Sequence, residues 1–124
     1  MRRSRQNPDA LYARLFALGG RLGCHQRPDR SFFLRGRQFP LCARCTGMFA
    51  GYAAGFLTLC FCLPPWPLGA VCLLPMLFDL FAQNALGRES TNIRRAVTGF
   101  AAGWGVLALC AQAAALLTVC LTGQ

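Results

Sequence analysis

Cys42-Ala43-Arg44-Cys45-Thr46-Gly47-Met48-Phe49-Ala50-Gly51-Tyr52-Ala53-Ala54-Gly55 is the stretch where this chain changes character. Ten of its thirteen arginines lie at or before Arg44, and from Cys45 to Leu63 no further charge occurs. As a helix, residues 41–63 would reach roughly 34 Å at 1.5 Å per residue, enough for the ~30 Å hydrocarbon layer of a bilayer. Gly47, Gly51 and Gly55 recur every four residues. They form one bare helical face against which a second helix can approach closely. Pro64-Pro65-Trp66-Pro67 then ends the run in a short turn with a tryptophan suited to the interface.

Downstream, residues 68–86 form a second apolar run interrupted by Pro75, Asp79, Gln83 and Asn84, and residues 96–122 a third and cleaner one. Gly99 and Gly103 give the third run its own small-residue stripe, and Gln112 is its strongly polar interior residue. Between them, residues 87–95 are polar except for Ile93. The expected fold is an all-α membrane protein of one domain. Three transmembrane helices (41–63, 68–86, 96–122) follow a basic amphipathic segment (1–22) and a Cys-His loop (23–40). A 55% hydrophobic fraction with 14% charged residues in 124 residues fits that class better than a soluble domain.

In the amphipathic segment, Asn7 can cap a helix, Pro8 suits its first position, and Asp9 complements its positive end. Leu11, Leu15, Leu18 and Leu22 share a stripe with Phe16, while Arg14 and Arg21 lie off it. Gly19-Gly20 is expected to fray or stop the helix. Such a helix lies on a membrane surface or packs on the other helices. The loop that follows, with Phe32, Phe33 and Phe39, is expected to fold back on that surface.

All thirteen basic residues are arginine and the net charge is +9, which suits an anionic membrane or nucleic acid. Trp66 and Trp104 form no stacking platform and no groove-reading motif is present, so nucleic acid is not expected. The arginines fall in residues 1–45 and 87–95, and none in 64–67 or the tail. The positive-inside rule therefore puts the N-terminus in the cytoplasm of a prokaryotic inner membrane and the C-terminus outside. Residues 1–30 lack the unbroken apolar core and cleavage site of a signal peptide. Thiols in the basic half should then be reduced, which favours metal or thiol chemistry over disulfides.

The chemistry gathers at Cys24-His25 and Cys42-x-x-Cys45. A helix start fixes Cys42 and Cys45 within one turn, where free backbone N–H groups and Arg44 favour thiolate. Cys24 and His25 complete a set of three thiolates and one imidazole for zinc, with iron or copper open. Adjacent residues seldom both ligate one ion, so His25 can instead orient a ligand or carry a proton. A redox dithiol and plain thiols in the core are the competing readings. Cys60, Cys62, Cys72, Cys110 and Cys120 read as small apolar residues, with a Cys62–Cys72 disulfide not established by spacing.

An aspartate in a membrane helix costs roughly 2.5–3.5 kcal/mol, so Asp79 should face the interior with a partner. Gln83, one turn on, and Arg44 from the neighbouring helix are the expected partners. These three form either a structural ion pair or a proton-accepting, substrate-binding cluster beside the thiols. Pro75, on the Asp79 face, can bend the helix round a cavity. Arg30, Ser31, Arg35, Arg88, Ser90, Thr91, Asn92, Arg94 and Arg95 could cradle an anionic headgroup or phosphate. The plainer reading is a positive-inside loop with a Ser90 or Thr91 cap.

Cys24-His25-Gln26, Arg30-Ser31-Phe32 and Cys42-Ala43-Arg44-Cys45-Thr46-Gly47 together resemble a family of small prokaryotic predicted membrane proteins grouped as a domain of unknown function. The likeness continues through Asp79, Gln83, Arg88 to Asn92, Arg94-Arg95 and Thr98-Gly99, covering roughly residues 24–103. It implies a polar site shared at one membrane face and supplies no reaction. No nucleophile elbow, phosphate loop or HExxH helix occurs. The function expected is a small integral membrane protein whose Cys/His site binds metal. The alternatives are an accessory subunit stabilised by its polar cluster, and a thiol redox enzyme.

Overall fold

The computed structural model describes residues 8–123; the expected Asn7 cap lies outside them. Among the described residues the chain forms four helices: α1 (Pro8–Arg21), α2 (Ala43–Phe61), α3 (Trp66–Ala85) and α4 (Asn92–Thr122). Between α1 and α2, a 3-10 turn at Pro28–Arg30 leads into an antiparallel hairpin of β1 (Ser31–Leu34) and β2 (Arg37–Cys42). The all-α expectation therefore needs correcting in the Cys-His loop.

The hairpin turns on Arg35 and Gly36, whose φ angles of 51° and 77° make the two-residue turn that matches strand twist. Phe33 pairs with Gln38 but Ser31 pairs with Cys42, so residues 39–41 stand against the single Phe32. Pro40, which has no N–H to offer a ladder, sits in that bulge. A proline inside a six-residue strand hides the strand from sequence reading.

α1 does not stop at Gly19-Gly20. It runs to Arg21, because Gly19 serves contact rather than termination: a Cβ there would collide with the Pro40 carbonyl of β2. The helix ends in a Schellman motif. Cys24 N–H reaches Gly19 O (3.3 Å), Gly23 N–H reaches Gly20 O (3.1 Å), and Gly23 has φ 85°. α1 packs on β2, with Tyr12 Oη donating to Gln38 O at 2.7 Å and Arg37 lying over the Tyr12 ring. Leu11, Leu15, Leu18 and Leu22 stay exposed as a row.

α4 is the central helix, with α2 on one side and α3 on the other. The glycine stripes mesh as their spacing predicts. A side chain at Gly47 or Gly51 would strike the Ala96 or Phe100 carbonyl, and one at Gly99 or Gly103 the Arg44 or Met48 carbonyl. Gly69 and Gly105 make an equivalent contact between α3 and α4 that their isolation in the sequence does not announce.

The interior is small and polar: Asp79 and Ser31 are the largest fully buried side chains. Phenylalanine, leucine and valine face outward along α2, α3 and α4. Among the described residues α3 and α4 are long and apolar enough to cross a membrane by length and composition. α2, at 19 residues, is diluted by glycine, threonine and Arg44. Pro75 is exposed and lies inside α3, one turn before the buried Asp79.

Candidate functional site

Three local structures bring the thiols together. The Schellman end of α1 delivers Cys24 in a fixed place. The β1–β2 pairing brings Cys42 to the first position before α2, where its extended backbone (φ −66°, ψ 162°) makes it the N-cap. One turn of α2 then carries Cys45. The sulfur atoms of Cys24, Cys42 and Cys45 all lie within 4.8 Å of one another. Cys42 N–H donates to Cys24 Sγ at 3.1 Å, and Thr46 Oγ1 donates back to Cys42 O. Burial pushes the Cys24 thiol up, but hydrogen bonds from the Cys42 and Gln26 N–H groups and from the other two thiols hold it below its ordinary value. All eight cysteines are free.

His25 does not join this cluster. It is exposed and lies on the wall of a cavity of about 180 Å³ that opens over the thiols. Arg27, Arg30, Arg44 and Arg95 line the same cavity.

Beneath it, Asp79 is 1% exposed and fully engaged. Its Oδ2 accepts from Arg44 Nη2 (3.0 Å) and Gln83 Nε2 (2.9 Å), and its Oδ1 meets Arg94 Nε at 3.0 Å. Arg44 and Gln83 are legible as partners from the sequence. Arg94 is not, because it reads as one more arginine of a basic loop. Through Asp79, α3 is tied to both α2 and α4.

The expected anion-binding set divides. Ser31 is buried and satisfied, donating to Arg27 O and accepting from Gln38 Nε2. Arg35 sits at the hairpin turn beside Tyr12 and Leu15. Arg88 is exposed, and its N–H closes α3 on Ala82 O. Thr91 caps α4 by accepting from Arg94 N–H at 3.2 Å; Ser90 donates to Thr91 O; and Asn92 Nδ2 donates to Ser31 O, tying the hairpin to α4. Of this set, Arg30 and Arg95 are the members that line the thiol cavity.

Gln26, to which the sequence assigns no role, holds the loop. Its side chain donates to Phe16 O and Pro40 O, and its own carbonyl accepts from Gln38 Nε2 at 2.6 Å. A glutamine following Cys-His is the signal that could have found it.

A helical membrane protein with a thiol and arginine cavity at the basic end of its bundle is thus defined. The chain belongs to the family described as predicted membrane protein (DUF2085), which it matches over residues 24–109. The match begins at Cys24 and takes in the three thiols, Asp79 and Arg95. The chain is 40% identical to an uncharacterized protein of Methanothermobacter thermautotrophicus over 92 residues, or 69% of this chain and 82% of that protein. It is 39% identical over 92 residues to one of Methanocaldococcus jannaschii, covering 68% of this chain and 58% of that longer protein. No solved structure matches it.

Proposed function

We propose that this protein is a three-span membrane protein carrying a three-thiolate metal centre at its cytoplasmic face. The observation that carries the metal reading is the convergence of Cys24, Cys42 and Cys45 from three separate elements. Three thiolates suit zinc, and the fourth tetrahedral position falls to a small anion, or to His25 if its exposed side chain turns in from the cavity wall. Binding would also fix the loop between α1 and α2.

The third span is α2. Its outward Phe49, Phe56, Leu57 and Phe61 are exposed while its glycines are buried, an arrangement suited to lipid rather than water. One domain then comprises the surface segment 1–22, the loop 23–40 and the spans 41–63, 68–86 and 96–122. The arginine distribution supports a cytoplasmic N-terminus in a prokaryotic inner membrane, with α1 lying in the interface on its exposed leucines.

Asp79, Gln83 and Arg44 act here, with Arg94 of α4, by holding the three spans together under the metal centre. The satisfaction of both Asp79 oxygens favours that role over proton transfer. It also favours, as second reading, an accessory subunit whose cluster is purely structural. Elemental analysis of protein purified without a metal-binding tag tests the metal reading. One equivalent of metal, with Cys24, Cys42 and Cys45 shielded from alkylation, is expected. Its absence, with all three thiols freely alkylated, would leave redox or structural thiols.

A further inference from the structure

The cavity over the thiols carries more positive charge than the protein itself offsets. Arg95 enters from the first turn of α4, is 6% exposed, and its Nε has no hydrogen-bond partner among the described residues. Buried Nε atoms of Arg30 and Arg44 are likewise without partners there. Three arginines that line one cavity, from the 3-10 turn, α2 and α4, therefore each keep a buried Nε without a hydrogen bond, that of Arg30 lying 3.8 Å from Asp29 Oδ2. Buried polar groups are normally hydrogen-bonded, so three such donors together call for an acceptor.

The charge balance sets the kind of acceptor. Arg27, Arg30, Arg44, Arg94 and Arg95 stand against Asp29 and Asp79, leaving three positive charges in excess. A divalent ion on three thiolates would offset one of them. Two remain, and a terminal phosphate carries about −1.5 to −2 at neutral pH. Guanidinium forks suit phosphate oxygens, which accept several such bonds at once. The cavity of about 180 Å³ is several times the ~30 Å³ share of a water.

We propose that this cavity binds a terminal phosphate group, held by Arg30, Arg44 and Arg95 beside the thiol centre. The proposal names the ligand of the site read above as a metal centre. Its three unpartnered donors are present with or without an ion. The phosphate is either free in the cytoplasm or the headgroup of a phosphomonoester lipid, which the depth of the site at the bundle's basic end would admit.

The test is protection of Cys24, Cys42 and Cys45 from alkylation, read by mass spectrometry against exposed Cys120. It is run on chelated full-length protein, because bound zinc would itself shield the thiols, and zinc uptake is measured separately. Three conditions are compared: inorganic phosphate in detergent, nanodiscs containing phosphatidic acid, and nanodiscs of phosphatidylcholine. Protection by inorganic phosphate assigns the free anion, and protection only by phosphatidic acid assigns the lipid. Arg95→Gln should weaken either at least tenfold, whereas Arg35→Gln should leave it unchanged. Arg30→Gln, nearer the surface, repeats the test if Arg95→Gln fails to fold. No protection of chelated protein beyond the phosphatidylcholine control, or equal protection in the Arg95 and Arg30 variants, would overturn the proposal. Bound zinc without phosphate protection would refute this site and spare the metal reading. Phosphate protection in protein that takes up no metal would do the reverse.

Discussion

The two ends of the helix bundle are held by different means. At the basic end, arginines, one buried aspartate and three thiols come together from separate elements. At the other end a few neutral hydrogen bonds suffice: Gln112 Nε2 donates to Pro64 O, and Trp104 Nε1 donates to Thr58 Oγ1 at 3.1 Å. The far end closes a turn. The basic end closes the bundle and leaves a charged cavity open, with donors to spare. Arg44 belongs to both aspects of the basic end, its Nη2 bonded to Asp79 and its Nε without a hydrogen bond.

The glycine seam common to both ends should matter most. Gly51→Leu would drive a side chain into the Phe100 carbonyl, where neither backbone can give way, so a loss above about 3 kcal/mol is expected. Monodispersity and melting in detergent would show it, and a variant that melts like the parent would refute the α2–α4 contact. Asp79→Asn should come next, at about 3–5 kcal/mol, because Arg44 and Arg94 lose a buried counter-charge. Intact stability in that variant, with whatever activity the protein has abolished, would move Asp79 from clamp to chemistry.

The far end should be more forgiving. Gln112→Leu removes a neutral bond and is expected to cost about 1 kcal/mol by the same melting assay. If it cost as much as Asp79→Asn, the contrast between the ends would fail. Thr91→Ala, which removes the α4 cap at the basic end, should also cost only about 1 kcal/mol. That result would show that the charged cluster, rather than every bond near it, sets the difference.

What can be read in the sequence follows from how local each cause is. Glycines at a spacing of four reveal the α2–α4 seam without coordinates, because helix geometry alone puts them on one face. Asp79 announces its own need for partners, and Arg44 and Gln83 are within reach of a simple helical ruler. Arg94 is hidden among loop arginines, since only the tertiary crossing angle brings it to Asp79. The hairpin is hidden by Pro40. Gly19 looks like a stop because its partner, the Pro40 carbonyl, comes from the strand the sequence conceals. The thiol cluster is legible as residue types, but Cys24 reaches it through the Schellman turn and the hairpin pairing, which no spacing rule encodes.

X-ray absorption at the metal edge of tag-free protein tests the central claim most directly. One ion per chain with three sulfur neighbours at about 2.3 Å is expected for zinc, and Cys24→Ser should reduce the sulfur count by one. Protein that carries no stoichiometric metal, or a metal surrounded only by oxygen and nitrogen, would contradict it.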